Sequence, residues 1–189
     1  MKKIAVLVSG GGTNLQALID SGIEISLVIS SKKDAFALTR AEKNGIKTET
    51  VEWAAYNKDR ERFSRELLNI LVVHRIDLVV YAGFMVILSD CVCKAFPDAM
   101  INVHPSLIPA FCGEGFYGLK VHRAALERGV KLSGATVHFV NDVCDGGPII
   151  MQKSVEVLED DTPETLQARV MQVEREILPA AVRLLCEGE

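Results

Sequence analysis

The sequence predicts an α/β fold: a mostly parallel, twisted sheet with helices on both faces, ending in an antiparallel C-terminal part. Three observations predict it. Short, continuously apolar runs of the kind found in buried parallel strands recur through the first half of the chain, and stretches with helical periodicity follow them. Four such β-then-α units in succession place helices on both faces of a parallel sheet. From residue 131 the pattern changes to two longer runs joined by a turn-rich segment, as in an antiparallel pair.

The elements follow in order. Residues 3–8 (KIAVLV) form a buried-type strand closed by Gly10, Gly11 and Gly12. TNLQALIDS then reads as a helix, with Thr13 or Asn14 available to cap its first N–H groups. Residues 23–30 (IEISLVIS) are a second strand, and AFALTRAEKNG is a helix stopped by Asn44-Gly45. TETV is a short strand, and residues 58–74 are a longer helix with Phe63, Leu67, Ile70 and Leu71 on one face. DLVVYAG (77–83) and AMINVH (99–104) are further strands. KLSGATVHFV and PIIMQKSVEV are two longer ones, joined by NDVCDGG. A last helix begins near Thr162-Pro163, with Thr162 as cap and Pro163 in the first helical position. Its apolar stripe is Leu166, Val170, Val173 and Ile177, and Pro179 is expected to kink or interrupt it. No repeat, low-complexity tract or linker is visible, so residues 1–189 are read as a single domain.

Composition bounds the function. The chain is 49% hydrophobic and 24% charged with a net charge of −4, which offers no basic footprint for nucleic acid or an anionic membrane. The apolar run after Lys2-Lys3 is too short for the h-region of a signal peptide, which needs about 7–15 residues. No apolar stretch approaches the length of a membrane span, so the expected location is the cytoplasm. The five cysteines, Cys91, Cys93, Cys112, Cys144 and Cys186, contain no CxxC pair and fit neither a disulfide framework nor a zinc site. Cys112 and Cys144 lie near the motifs below, but neither has the basic neighbour that marks a nucleophile.

SGGGTN after the first strand is suited to an anion, because glycines let backbone N–H groups approach a phosphate and the helix N-terminus adds a favourable partial charge. The turn lacks the lysine of a P-loop. It also fails the dinucleotide fingerprint, since Leu15 stands where a third Gly or Ala belongs and the second strand ends in Ser30-Ser31-Lys32-Lys33 without an acid for a ribose hydroxyl. A dehydrogenase is therefore not expected.

MINVHPSLIPAF (residues 100–111) carries the chemistry. Strand alternation puts Asn102 and His104 on one face, and Pro105 holds His104 extended. A carboxylate near them would complete a set; Asp145 in CDGGP is one candidate and Asp142 another, and spacing does not choose between them. An amide, an imidazole and a carboxylate, with no nucleophilic Ser or Cys and no metal ligands, suit direct acyl transfer between two bound substrates. The attacking amine then belongs to a substrate, and the protein stabilises an oxyanion and moves a proton. One oxyanion donor is worth about 2.7–4 kcal/mol, and holding both substrates in line about 7–11 kcal/mol.

SGGGTNLQALID, AGFMVILS, INVHPSLIPAF, GATVHFVNDVCDGGPIIMQ and VEREILPAAVRLL together resemble the glycinamide ribonucleotide formyltransferase family, over residues 3 to about 185. The resemblance implies a Rossmann-like formyltransferase fold and transfer of a formyl group from 10-formyltetrahydrofolate, as co-substrate and without a metal, to the amine of glycinamide ribonucleotide in purine biosynthesis. It implies a catalytic Asn102, His104 and Asp145, which selects Asp145 over Asp142. It further implies phosphate binding at Gly12, Thr13 and Asn14, ribose binding at Glu174, and folate binding by Arg60, Met85, Val86, Ile87, Leu88 and Asn102. Arg62 and Arg65 are register alternatives to Arg60, and many members carry arginine at Val86. The stretch AFCGEGFYGLKV, residues 110–121, is longer than the family's commonest form, and Gly113, Gly115 and Gly118 suggest a mobile loop over the substrates.

Two relatives share the Asn-His-Asp chemistry. Methionyl-tRNA formyltransferase adds a C-terminal domain and formyltetrahydrofolate deformylase, a hydrolase, an N-terminal regulatory one; 189 residues beginning at the first strand are expected to have neither. A nucleotide-binding regulatory module would use the glycine turn but not the triad. The expected partners are the two small-molecule substrates, with no nucleic acid and no membrane, and a homodimer is left open.

Overall fold

The computed structural model describes residues 2–187. Its strands are β1 (Ile4–Val8), β2 (Leu27–Ser30), β3 (Thr48–Thr50), β4 (Leu78–Tyr81), β5 (Met100–His104), β6 (Leu132–Phe139) and β7 (Ile149–Glu156). Its α-helices are α1 (Thr13–Asp20), α2 (Phe36–Lys43), α3 (Arg60–Val73), α4 (Asp90–Ala95), α5 (Leu119–Arg128) and α6 (Pro163–Glu187). The strands form one seven-stranded sheet in the order β3-β2-β1-β4-β5-β6-β7. β1 pairs in parallel with β2 and β4, and β2 with β3, whereas β6 and β7 are antiparallel. This is the mostly parallel sheet with an antiparallel C-terminal pair that the sequence predicts. The chain forms two compact units, one up to Ile101 and one from Asn102 onward.

In the first unit, every residue of β1, β2 and β4 is buried, which is why these strands read as unbroken apolar runs rather than alternating ones. α3 turns Phe63, Leu67 and Leu71 inward, with Ile70 only half-buried. Phe63 is the hub of an aromatic cluster, edge-on to Trp53 at 5.1 Å and to Tyr56 at 5.6 Å, and stacked on Phe84 at 6.3 Å. Fully burying a side chain of this size stabilises the fold by about 1.5–3 kcal/mol. Asp59 caps α3 by accepting the Arg62 N–H at 3.0 Å. β2 begins only at Leu27, later than the sequence suggests; before it, the Ser26 N–H donates to the Ile4 carbonyl at 2.9 Å.

Two corrections concern helix ends. Neither Thr13 nor Asn14 caps α1: the cap position is Gly12, at φ +71°, with no side-chain cap bond, and Thr13 is already helical. Pro179 does not interrupt α6, which continues to Glu187. Leu178, Ala181 and Val182, on either side of the proline, are buried, and that packing outweighs a cost of about 3 kcal/mol for an interior proline. The rest of α6 follows the sequence. Thr162 accepts the Thr165 N–H at 3.2 Å while its own N–H donates to the Thr165 hydroxyl at 2.9 Å, and Leu166, Val170, Val173 and Ile177 are buried. Asp161, just before the helix, accepts two hydrogen bonds from Arg169 within it, of 2.6 and 2.9 Å.

Candidate active site

β5 delivers Asn102 and His104 to the same place, as alternation requires. The place is marked by Asp145. Its Oδ2 lies 3.4 Å from His104 Nδ1 and accepts the Gly113 N–H at 2.9 Å, while its Oδ1 accepts from Asn102 Nδ2 at 3.4 Å. His104 is 4% exposed and the Asp145 side chain 10%, so these polar groups interact where water screens little. Asp142, the competing carboxylate, is exposed.

The two glycines after Asp145 fix how it is presented. Asp145 sits at φ +53°, a conformation aspartate tolerates better than most residues. At Gly147 a Cβ would run into the Phe139 carbonyl, and at Gly146 it would lie 2.5 Å from Val143 Cγ1. The turn is therefore closed tightly onto the end of β6, with no room for side chains beyond the aspartate.

Sequence reasoning missed a further member, His138. It is 1% exposed, its Nδ1–H donates to the Phe139 carbonyl at 2.8 Å, and its Nε2 is 3.2 Å from Asn102 Nδ2 and 3.6 Å from Asp145 Oδ1. In the neutral ring Nε2 accepts from the amide; in the protonated ring it donates to the carboxylate. Opposite His138 the β6–β7 register shifts, with Val137 facing Met151 and His138 facing Ile149, so that Ile150 of β7 is left over. TVHFV does place Thr136 and His138 on one strand face, but the contact of His138 with Asn102 and Asp145 is long-range and no local pattern marks it.

These neighbours set the charge. Burial pushes the Asp145 carboxyl up, but the hydrogen bond with His138, the charge of His104 and the Gly113 N–H outweigh it and hold the group below the ordinary carboxylate value. His104 has an acceptor at each ring nitrogen, Asp145 at Nδ1 and the Phe111 carbonyl 2.9 Å from Nε2. Nearby on α5, His122 is 1% exposed with a buried, unpartnered Nδ1, and burial, with the charge of His104, pushes its pKa down to about 4.

The segment after His104 is bolted to the antiparallel pair. Thr136 Oγ1 donates to the Ser106 carbonyl at 2.7 Å and accepts the Ile108 N–H at 3.1 Å. Gln152 Nε2 reaches both Thr136 Oγ1, at 2.9 Å, and the Ile108 carbonyl, at 3.0 Å. The expected loop at 110–121 is shorter than the sequence suggests, because α5 begins at Leu119 with Gly118 in its cap position. Burial, then the charge of Asp145, raises the thiol pKa of Cys144 to about 11 and that of Cys112 above its usual value, so neither is a ready thiolate.

Gly12 and Thr13 are half-buried and Asn14 is buried at the β1–α1 turn. The first N–H groups of α1 have no intrahelical partner by helix geometry, which leaves this turn suited to an anion. Arg60 is exposed at the first position of α3. Between β4 and α4 the chain alternates: Met85 and Ile87 are 55% and 49% exposed, whereas Val86 and Leu88 are in the core at 8% each. The Met85 N–H is tied to Ser9 Oγ at 2.9 Å. Glu174 is 9% exposed on α6 beside Val173, rather than the solvated charge of an ordinary helix face.

Residues 2–182 match the family model described as Formyl transferase. The phosphoribosylglycinamide formyltransferase of Escherichia coli (strain K12) is 40% identical over 191 residues, covering 98% of this chain and 87% of that protein. The chloroplastic phosphoribosylglycinamide formyltransferase of Arabidopsis thaliana is 38% identical over 98% of this chain, which spans 66% of that longer protein. The chain spans 18% of the human trifunctional purine biosynthetic protein adenosine-3, at 42% identity. Among solved structures, glycinamide ribonucleotide transformylase 1 from Symbiobacterium toebii has a TM-score of 0.93 and 43% identity, covering 100% of this chain and 89% of that one.

Proposed function

Because the chain belongs to the formyl transferase family, we propose that it transfers the formyl group of 10-formyltetrahydrofolate to the amine of glycinamide ribonucleotide in purine biosynthesis. The observation that carries this reading is the convergence of Asn102, His104 and Asp145 in one part-buried cluster. No nucleophilic side chain is needed there, because the substrate supplies the amine.

The amine attacks the formyl carbon, a C–N bond forms, and the bond from that carbon to the folate nitrogen breaks as the tetrahedral intermediate collapses. The amine loses a proton and the departing folate nitrogen gains one, so the overall balance is unchanged. His104 and Asp145 carry that proton. The oxyanion is held by Nε2–H of His104 and by Asn102. The amide hydrogen now on the longer contact, 3.4 Å to Asp145, is the one the substrate oxygen takes over. The Phe111 carbonyl occupies the acceptor position at His104 Nε2 that the formyl oxygen takes, so segment 110–118 shifts as substrate binds.

The glycine turn at Gly12, Thr13 and Asn14 receives the substrate phosphate, and Glu174 receives the ribose hydroxyls. Arg60 and the run Met85–Val86–Ile87–Leu88 serve the folate; exposed Met85 and Ile87 supply contact surface, while buried Val86 and Leu88 keep the run in place. The test is to mix purified protein with both substrates and follow folate deformylation. Consumption that depends on the amine supports transfer; equal consumption without it identifies a hydrolase.

A further inference from the structure

The glycine turn is not held by its own helix alone. Two contacts from α2 reach its backbone. The Ala37 N–H donates to the Gly10 carbonyl at 3.0 Å, and Arg40 Nε donates to the Gly11 carbonyl at 2.8 Å. The fit is close: a Cβ on Gly12 would lie 2.6 Å from Ala37 Cβ. Arg40 is itself fixed on two further sides. Its Nη1 donates to Gln16 Oε1 on α1 at 3.0 Å, and its guanidinium lies 5.0 Å from the centre of the Phe36 ring.

Peptide geometry makes this consequential. In a planar trans peptide the C=O of one residue and the N–H of the next point in opposite directions. Holding the Gly11 carbonyl toward Arg40 therefore turns the Gly12 N–H away from it, and holding the Gly10 carbonyl toward Ala37 does the same for the Gly11 N–H. An anion bound by a glycine turn is attracted by N–H groups and repelled by carbonyl oxygens. Free glycine peptides sample both orientations at little cost, so something must select between them.

We propose that Arg40 is the positioning residue of the phosphate site, orienting the Gly11–Gly12 peptide so that its N–H serves the anion and its carbonyl is neutralised. This rests on the reading that Gly12, Thr13 and Asn14 bind the substrate phosphate. Arg40 acts through the turn rather than on the reacting atoms.

The experiment is steady-state kinetics on the full chain, wild type against Arg40→Ala and Arg40→Lys, with inorganic phosphate as a competitive probe. Arg40→Ala is expected to raise KM for glycinamide ribonucleotide and the inhibition constant of phosphate together, by about tenfold to a hundredfold, the range of a lost charge-assisted hydrogen bond. KM for formyl-folate and kcat at saturation should stay within about threefold. Arg40→Lys keeps the charge without the fixed fork and should fall between. An unchanged amine-substrate KM in Arg40→Ala overturns the proposal, as does an equal rise in both KM values. If Arg40→Ala does not fold, Arg40→Lys decides on the same split. If the wild type shows no turnover with this amine, the functional reading fails instead. Calorimetric titration of inorganic phosphate into wild type and variants then decides, with weaker binding in the variants supporting Arg40 and equal binding overturning it.

Discussion

Asp145→Asn isolates the charge at the centre of the cluster. The amide keeps the shape of the carboxyl and can still accept the Gly113 N–H, so the turn has no steric reason to change. What disappears is a negative charge 3.4 Å from His104 Nδ1. At that distance, with an effective dielectric constant near 20, the lost attraction for a protonated imidazole is about 5 kcal/mol. Converted to rate, that sets a ceiling of about three and a half decades. Only the part that grows between ground state and transition state counts, so kcat should fall by about 10²- to 10³-fold, within the usual range for general acid–base groups. The assay is saturating steady-state turnover with both substrates, alongside a thermal melt by circular dichroism. Because the Asp145 carboxyl lies below its ordinary value in the fold, its contribution to stability is present above the unfolded pKa of about 3.9 and lost as pH falls through the lower folded value. The variant should therefore melt somewhat lower than wild type at pH 7, and the gap should close in acid. A variant with kcat within tenfold of wild type refutes the assignment of Asp145.

Three further perturbations follow from named contacts. His122 is held neutral by burial, with a folded pKa of about 4. The unfolded chain therefore binds the extra proton between about pH 6.5 and 4, and wild-type stability falls across that window. His122→Leu should flatten the fall in melting temperature with pH, and an unchanged slope contradicts the reading of a buried neutral ring. The grip of Arg169 on Asp161 holds that carboxyl well below the usual range, so its stabilisation is intact at pH 7 and fades as pH falls below about 4. Asp161→Asn should lower the melting temperature at pH 7 and make little difference in strong acid; a difference that persists in acid would mean packing, not charge, is lost. At Gly12, φ +71° costs other residues about 1–2 kcal/mol, and a Cβ meets Ala37 at 2.6 Å. Gly12→Val should raise KM for glycinamide ribonucleotide at least tenfold, and a shift confined to the folate KM counts against a phosphate role for the turn.

What could be read from the sequence was what depends on local pattern. Unbroken apolar runs mark the parallel strands, and alternation in INVH puts Asn102 and His104 on one face of β5. The Asp-Gly-Gly turn after NDVC marked the acid's neighbourhood, but only family resemblance chose Asp145, and the structure supplies the reason: Asp142 is exposed while Asp145 meets both residues of β5. What stayed hidden depends on long-range packing. His138 meets Asn102, 36 residues away in the chain, and Asp145 across the turn that follows β6. The bolts on Ser106 and Ile108 come from Thr136 and Gln152, far along the chain. α4 has six residues, too few to show a period, and α5 stands behind a glycine-rich loop that masks its start. Pro179 misled because the buried residues around it, not propensity, hold α6 together.

The most direct test of the central claim follows the formyl carbon itself. In a single turnover with isotopically labelled 10-formyltetrahydrofolate and unlabelled glycinamide ribonucleotide, the label should move to the amide of the product, one formyl group per folate consumed. His104→Ala, folded by circular dichroism, should move essentially none. Label recovered as free formate, or a His104→Ala variant that transfers it at a near-normal rate, contradicts the account.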